Sequence, residues 1–175
     1  MNRRLITTAG VVALLITGGF GAVHGALDLE AVVVAVVSGD EIDVVITQSS
    51  AADVVAGREI VRVKYLGVAA PSRFEPLYME AFDLNWNLVA SSEIHLQLDG
   101  PRWDDEGRLL AYVFLDPSGF GMVNAVLLAV GLARIDVDLF PEAIHAAWMI
   151  DAAAVAESHG RGIWANADAP AHPED

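Results

Sequence analysis

At 175 residues the chain is long enough to bury one hydrophobic core and short for two. It has no cysteine, which excludes disulfide staples, thiol catalysis, cysteine-held zinc and a lipid-modified cysteine anchor. Its formal net charge of −14 argues against a phosphate-gripping surface, because neutralising phosphates takes a basic face.

Met1-Asn2-Arg3-Arg4 supplies positive charge, and Leu5 to Val23 follows without a charged residue. Gly25 offers a small residue for cleavage before Ala26. Residues 1–25 therefore read as a secretory signal peptide. The other reading is a retained N-terminal membrane anchor that contacts the bilayer, although Gly18, Gly19 and Gly21 weaken a spanning helix. Either reading makes the globular part secreted or otherwise extracytoplasmic. All 24 acidic residues fall beyond this segment, while Arg3 and Arg4 are two of the 10 basic ones. The remainder thus carries 8 basic residues and a net charge of about −16. Such a body repels a polyanion at long range. A solubilising acidic surface is the plain explanation.

Residues 30–165 are expected to form the folded domain. Glu30 to Val37 is a β-branched run that predicts a strand, and Ser38-Gly39-Asp40 predicts a turn. Glu41 to Thr47 alternates polar and apolar residues and predicts the hairpin partner. Arg58 to Val68 predicts a third strand. Glu75 to Ala90 predicts a helix with Pro76 in its first turn and Met79, Phe82, Trp86 and Val89 as one buried stripe. Glu93 to Leu98 and Leu109 to Leu115 predict strands four and five. Gly121 to Val130 predicts a short helix stopped by Gly131. Pro141 to Ser158 predicts the last helix, with Ile144, Trp148 and Val155 on one face, and Gly162-Ile163-Trp164 is expected to pack back on the body. Residues 166–175 are predicted to be a flexible acidic tail. Five short strands with these helices predict an α+β fold, a small five-stranded β-barrel with three packed helices.

Several ordered pieces carry a likeness to a known family. They are Gly39-Asp40, Val61-Lys64-Gly67-Pro71, Glu75-Pro76 with Glu80-Ala81, Gly107 to Tyr112, Val123-Asn124, Gly131-Leu132-Ala133 and Gly160 to Trp164. In this order and spacing the chain resembles the staphylococcal-nuclease-like (thermonuclease) family from about Ala31 to Trp164. The resemblance implies an OB-fold barrel and ancestral calcium-dependent phosphodiester cleavage of nucleic acid. Such chemistry needs an oxygen-rich ion site, a carboxylate that presents the attacking water, cations facing the phosphate, and a surface that grips the substrate.

Carried over residue by residue, the resemblance places Asp40 at a calcium carboxylate, in Ser38-Gly39-Asp40-Glu41. Ala69-Ala70-Pro71-Ser72 stands where the family has Asp-Thr-Pro-Glu. Ala69 replaces the second metal carboxylate, and Ala70 keeps only a backbone carbonyl ligand. Ser72 replaces the catalytic glutamate with a hydroxyl, which is not a base near pH 7. Arg108 and Lys64, the only lysine, occupy the two cationic positions, with Asp104, Asp105 and Glu106 as obvious partners of Arg108. Glu106, Val137 and Leu139 stand at positions where family members carry tyrosine. Glu75 and Glu41 are the carboxylates nearest to a substitute base, and neither is expected to serve. The histidines, among them His95, His145 and His159, form no ligand pattern.

Calcium is expected to be weak or absent. Two readings follow: an exported domain that has lost catalysis and acts as a monomeric module binding a protein or small ligand, or a divergent active nuclease using Asp40, Lys64 and Arg108. Nucleic acid is the disfavoured partner.

Overall fold

The computed structural model describes residues 27–165 apart from 55, 58 and 140–143. The segment read as signal peptide or anchor, the tail and the first residues of the last predicted helix lie outside the described residues. Alternation along the first hairpin turns every second side chain inward. β1 (Leu29–Val36) pairs antiparallel with β2 (Glu41–Ser49), and Leu29, Ala31, Val33, Ile42, Val44 and Ile46 are buried between them and the other strands. β3 (Ile60–Tyr65) continues antiparallel to β2. β6 (Leu109–Phe114) then runs parallel to β3 and antiparallel to β5 (Glu93–Gln97), which returns to β1. The order β1-β2-β3-β6-β5 is a closed barrel. Closure leaves no open edge, and it buries β6 along its whole length. Full burial of each such Leu, Val or Phe contributes roughly 1.5–3 kcal/mol.

The third predicted strand is cut in two. After Tyr65 the chain turns at Leu66-Gly67, where Gly67 takes a positive φ of 74° that glycine accepts without strain. Buried Asn124 fixes this bend: its amide donates to the Leu66 carbonyl at 2.9 Å and its oxygen accepts from the Val113 N–H at 3.0 Å. The chain leaves as β4 (Val68–Ala69), paired antiparallel with β7 (Arg134–Ile135) beside the barrel. This small ladder sets the position of Ala69 to Ser72.

α1 (Tyr78–Val89) starts three residues later than predicted, after Leu77 in a left-handed conformation. Its buried stripe is also different. Val89 is buried, but Met79 and Trp86 are 57% and 52% exposed and Phe82 is half-buried. The inward residues are Ala81, Asn85 and Val89. The helix crosses so close to the β1–β2 turn that a Cβ on Gly39 would lie 2.7 Å from the Ala81 Cβ, so large side chains have no room. Asn85 is satisfied there by the Tyr65 hydroxyl and the Ser38 carbonyl, at 2.7 and 2.8 Å. Burial raises the Tyr65 pKa, so its hydroxyl stays a donor.

α2 (Val123–Ala129) is buried on every side, and α3 (Ala146–Ser158) packs against it through Met149, Ala152 and Ala156, with Trp148 and Val155 half-buried. His145 precedes α3. Its Nε2 is 2.7 Å from Gln97 Oε1 and its ring stands edge-on to Tyr112, while burial holds its pKa below the ordinary value. The short 3-10 turn Gly162–Trp164 docks on the end of α2, with the Ile163 N–H donating to the Gly131 carbonyl at 2.8 Å. A Cβ on Gly131 would come within 2.2 Å of the Arg161 oxygen. The architecture is the expected OB-fold barrel with three packed helices. Among the described residues no helix is long and apolar enough to cross a membrane.

Candidate functional site

One end of the barrel gathers the β1–β2 turn, the end of β3, the Ala69–Ser72 segment and the loop before β6. Asp40 sits at its centre and is only 5% exposed. Three neighbours each spend a hydrogen on it. The Ser38 hydroxyl donates to Oδ1 at 2.8 Å, the Ala70 N–H donates to Oδ2 at 2.8 Å, and the Lys64 ammonium donates to Oδ2 at 2.5 Å. Lys64 is itself buried, at 8% exposure, so it faces Asp40 and not an incoming phosphate. Ala70 reaches Asp40 through its N–H, whereas the family resemblance implies a role for its carbonyl.

Next to it lies a second cation with more carboxylates. Asp104 Oδ1 accepts from the N–H groups of Glu106 and Arg108, at 3.0 and 2.9 Å, and Gly107 closes the turn with φ 75°. This loop presents Arg108 at the start of β6. Its Nε meets Asp104 Oδ2 at 2.6 Å, its Nη1 meets Glu41 Oε1 at 2.6 Å and its Nη2 lies 3.2 Å from Glu106 Oε1. Burial works against the guanidinium charge, but the hydrogen bond with Asp104 and the Glu41 charge outweigh it and raise the pKa. Burial likewise pushes Asp104 up, and the bonds from Arg108 reverse this and leave its pKa below the ordinary value.

Glu41 is the site residue whose part the sequence reading underrated. It does turn away from Ile42, which is buried in the barrel. The outer face at this end is the cleft itself, so turning outward brings Glu41 to Arg108. The strand pairing places it there: Glu41 stands opposite Lys64 across β2 and β3.

The remaining positions lie apart. Ser72 is exposed, and its N–H donates to Glu75 Oε2 at 2.6 Å while the Glu75 N–H returns to the Ser72 carbonyl. That bond lowers the Glu75 pKa and makes Glu75 a brace for the turn before α1. Ala69, Pro71, Glu75, Leu77, Arg134 and Ile163 line a groove of about 450 Å³ beside the cleft, with Arg134 3.9 Å from Glu75 across it. Val137 is exposed, Leu139 packs on the core, and Glu106 points mostly to solvent, so no aromatic platform stands at those three positions.

A closed mixed five-stranded barrel with three packed helices, bearing a carboxylate in the first turn and an arginine before its last strand, is an OB-fold. The family comparison agrees. The model for staphylococcal nuclease homologues matches residues 62–166, more than half of the chain, and the protein belongs to that family. The matched stretch contains Lys64, Ala69, Ser72 and Arg108, while β1, β2 and Asp40 precede it. No curated protein matches the chain.

The family is generally calcium-dependent. The residues here do not fit that ion. Asp40 has both oxygens committed, Ala69 offers a methyl group, and no group of three or more His, Cys, Asp or Glu side chains among the described residues is placed to hold a metal.

Proposed function

We propose that this chain is an exported, staphylococcal-nuclease-like barrel in which catalysis has been lost and the domain serves as a binding module. The observation that carries the reading is the fate of the two cleft cations. Lys64 is spent on Asp40, and Arg108 is spent on Glu41, Asp104 and Glu106. Two positive charges among four carboxylates leave a local charge of about −2, which opposes a phosphodiester. Cleavage needs the reverse, cations free to take up charge growing on the phosphate. Ser72 supplies no base, and each lost element of this kind lowers rate by about 10²–10⁴-fold. Beyond the cleft, Arg62, Arg102 and Arg134 each also have a carboxylate within 3.9 Å. Phosphate attraction is therefore weak over much of the surface. The groove beside Ala69 offers a concave, mainly apolar surface for a small ligand or a partner's side chain.

The test is hydrolysis of single-stranded DNA and RNA by the purified protein, with calcium and with chelator, beside Arg108→Ala. The expected result is no cleavage above the Arg108→Ala background. Calcium-dependent cleavage that disappears in Arg108→Ala would reverse the reading and make Asp40, Lys64 and Arg108 a working site.

A further inference from the structure

We propose that the outer face of α1 docks a cationic amphipathic helix of another protein, with Met79 and Trp86 as its apolar anchors and Glu80 and Asp83 as its pairing charges. None of these four side chains lines the groove beside Ala69 or takes part in the ion pairs of the cleft, so the proposal holds whether or not catalysis is lost.

Met79, Phe82 and Trp86 recur at spacings of three and four, the seam by which one helix packs on another. The fold leaves this seam outside. Ala81, Asn85 and Val89 take the inward face, while Met79 and Trp86 are each more than half exposed. The rings along the seam are ordered all the same. Phe82 lies 6.4 Å from Tyr78 and 6.1 Å from Trp86, and the second pair is stacked at 27°. Aromatic side chains already held by one another lose little freedom when a partner arrives, and Trp and Met are enriched where protein surfaces meet. An amphipathic helix laid along the seam would meet anchors one helical turn and two helical turns apart.

The rim sets the charge of that partner. Asp83 is four residues past Met79 and three before Trp86, so it flanks both anchors, and Glu80 lies one turn before it. Both carboxylates belong to exposed residues, and among the described residues no basic side chain pairs with either. α1 itself carries no basic residue. A lysine or arginine of a docking helix therefore meets free carboxylates beside an open indole, which also attracts a cation through its ring face. A second copy of this chain would bring the same two carboxylates and a net charge of −14 against the seam, and an anionic bilayer would meet the same repulsion.

The test is calorimetric titration of the full chain, at physiological salt, with a synthetic helix of leucine and lysine that has all its leucines on one face. The control peptide has every leucine replaced by glutamine and keeps the same charge. The leucine peptide is expected to bind with a Kd on the order of 10 μM, and the control about 10-fold more weakly or worse. Trp86→Ser and Met79→Ser are each expected to weaken the leucine peptide about 10-fold. Glu80→Gln with Asp83→Asn is expected to weaken it about 3-fold. Melting temperatures should stay near that of the native protein, because these side chains are on the surface. If Trp86→Ser does not fold, Met79→Ser decides the matter. No binding overturns the proposal. So does equal binding of the two peptides, or equal binding by the native protein and the serine variants, since either result reports only diffuse attraction of opposite charges. A concentration-dependent dimer that Trp86→Ser abolishes would give the seam to a second copy and also overturn it.

Discussion

Asp40 and Glu41 are adjacent in the chain and hold different cations in different surroundings. Asp40 meets Lys64 in a sealed pocket, one charge against one. Glu41 shares Arg108 with Asp104 and Glu106 at the rim, three charges against one, and Glu106 is mostly exposed. The contrast separates two uses of an ion pair. In the pocket the pair replaces solvent, so either partner alone is a buried charge and the two must be present together. At the rim Arg108, Glu41 and Asp104 keep 20%, 17% and 9% side-chain exposure, so their contacts are partly screened, the open Glu106 contact is worth little, and the arrangement also sets local charge. The pocket fixes the shape of the β1–β2 turn, and the rim fixes what the cleft repels.

The largest effect that would sharpen this contrast is on stability in urea. Lys64→Met is expected to cost about 3–5 kcal/mol, against about 1–2 kcal/mol for Arg108→Met. Equal losses would break the distinction between sealed and shared pairs. A smaller difference is expected with salt. Raising ionic strength from low to about 1 M should shrink the Arg108→Met penalty, because the carboxylates left behind are screened, and should leave the Lys64→Met penalty nearly unchanged. A parallel response of both variants would place both pairs in the same environment. The smallest effect is on acid stability. Asp104 has a folded-state pKa below its ordinary value of 3.8. Its stabilisation is thus complete above pH 3.8 and is lost as pH falls through the lower folded-state value. Arg108→Met should remove most of this acid limb, a change of under about 1 kcal/mol between pH 5 and pH 3. A limb of unchanged size in that variant would assign it to other carboxylates.

Much of the fold was legible because each barrel strand buries one alternating face or, in β6, both. The hairpin, the five strands and the glycine stops follow from that pattern. α1 shows where the pattern stopped being informative. Large apolar residues on a helix suggest its buried face, yet Met79 and Trp86 face solvent, because Gly39 and Ala81 bring α1 too close to the barrel for them. The buried position went to Asn85, whose partners Tyr65 and Ser38 are distant in sequence. The missing carboxylates at Ala69 and Ser72 could be read directly from the resemblance. The consequence at Lys64 could not, since only the fold shows that a lysine at that register reaches Asp40. Glu41 was hidden for the same reason: the outer face of β2 becomes a site only once the loop carrying Arg108 is brought beside it.

The crossing of Gly131 and Gly162 gives the molecule an order in time. Every barrel strand has been synthesised by Phe114, but the turn that locks the end of α2 does not exist until Trp164. The nascent chain therefore holds a closable barrel with an unfastened helical layer while roughly fifty further residues emerge, a few seconds at ordinary elongation rates. The barrel strands are thus all present before the contact that fastens the helical layer can form, and that contact is made where two residues have no side chain.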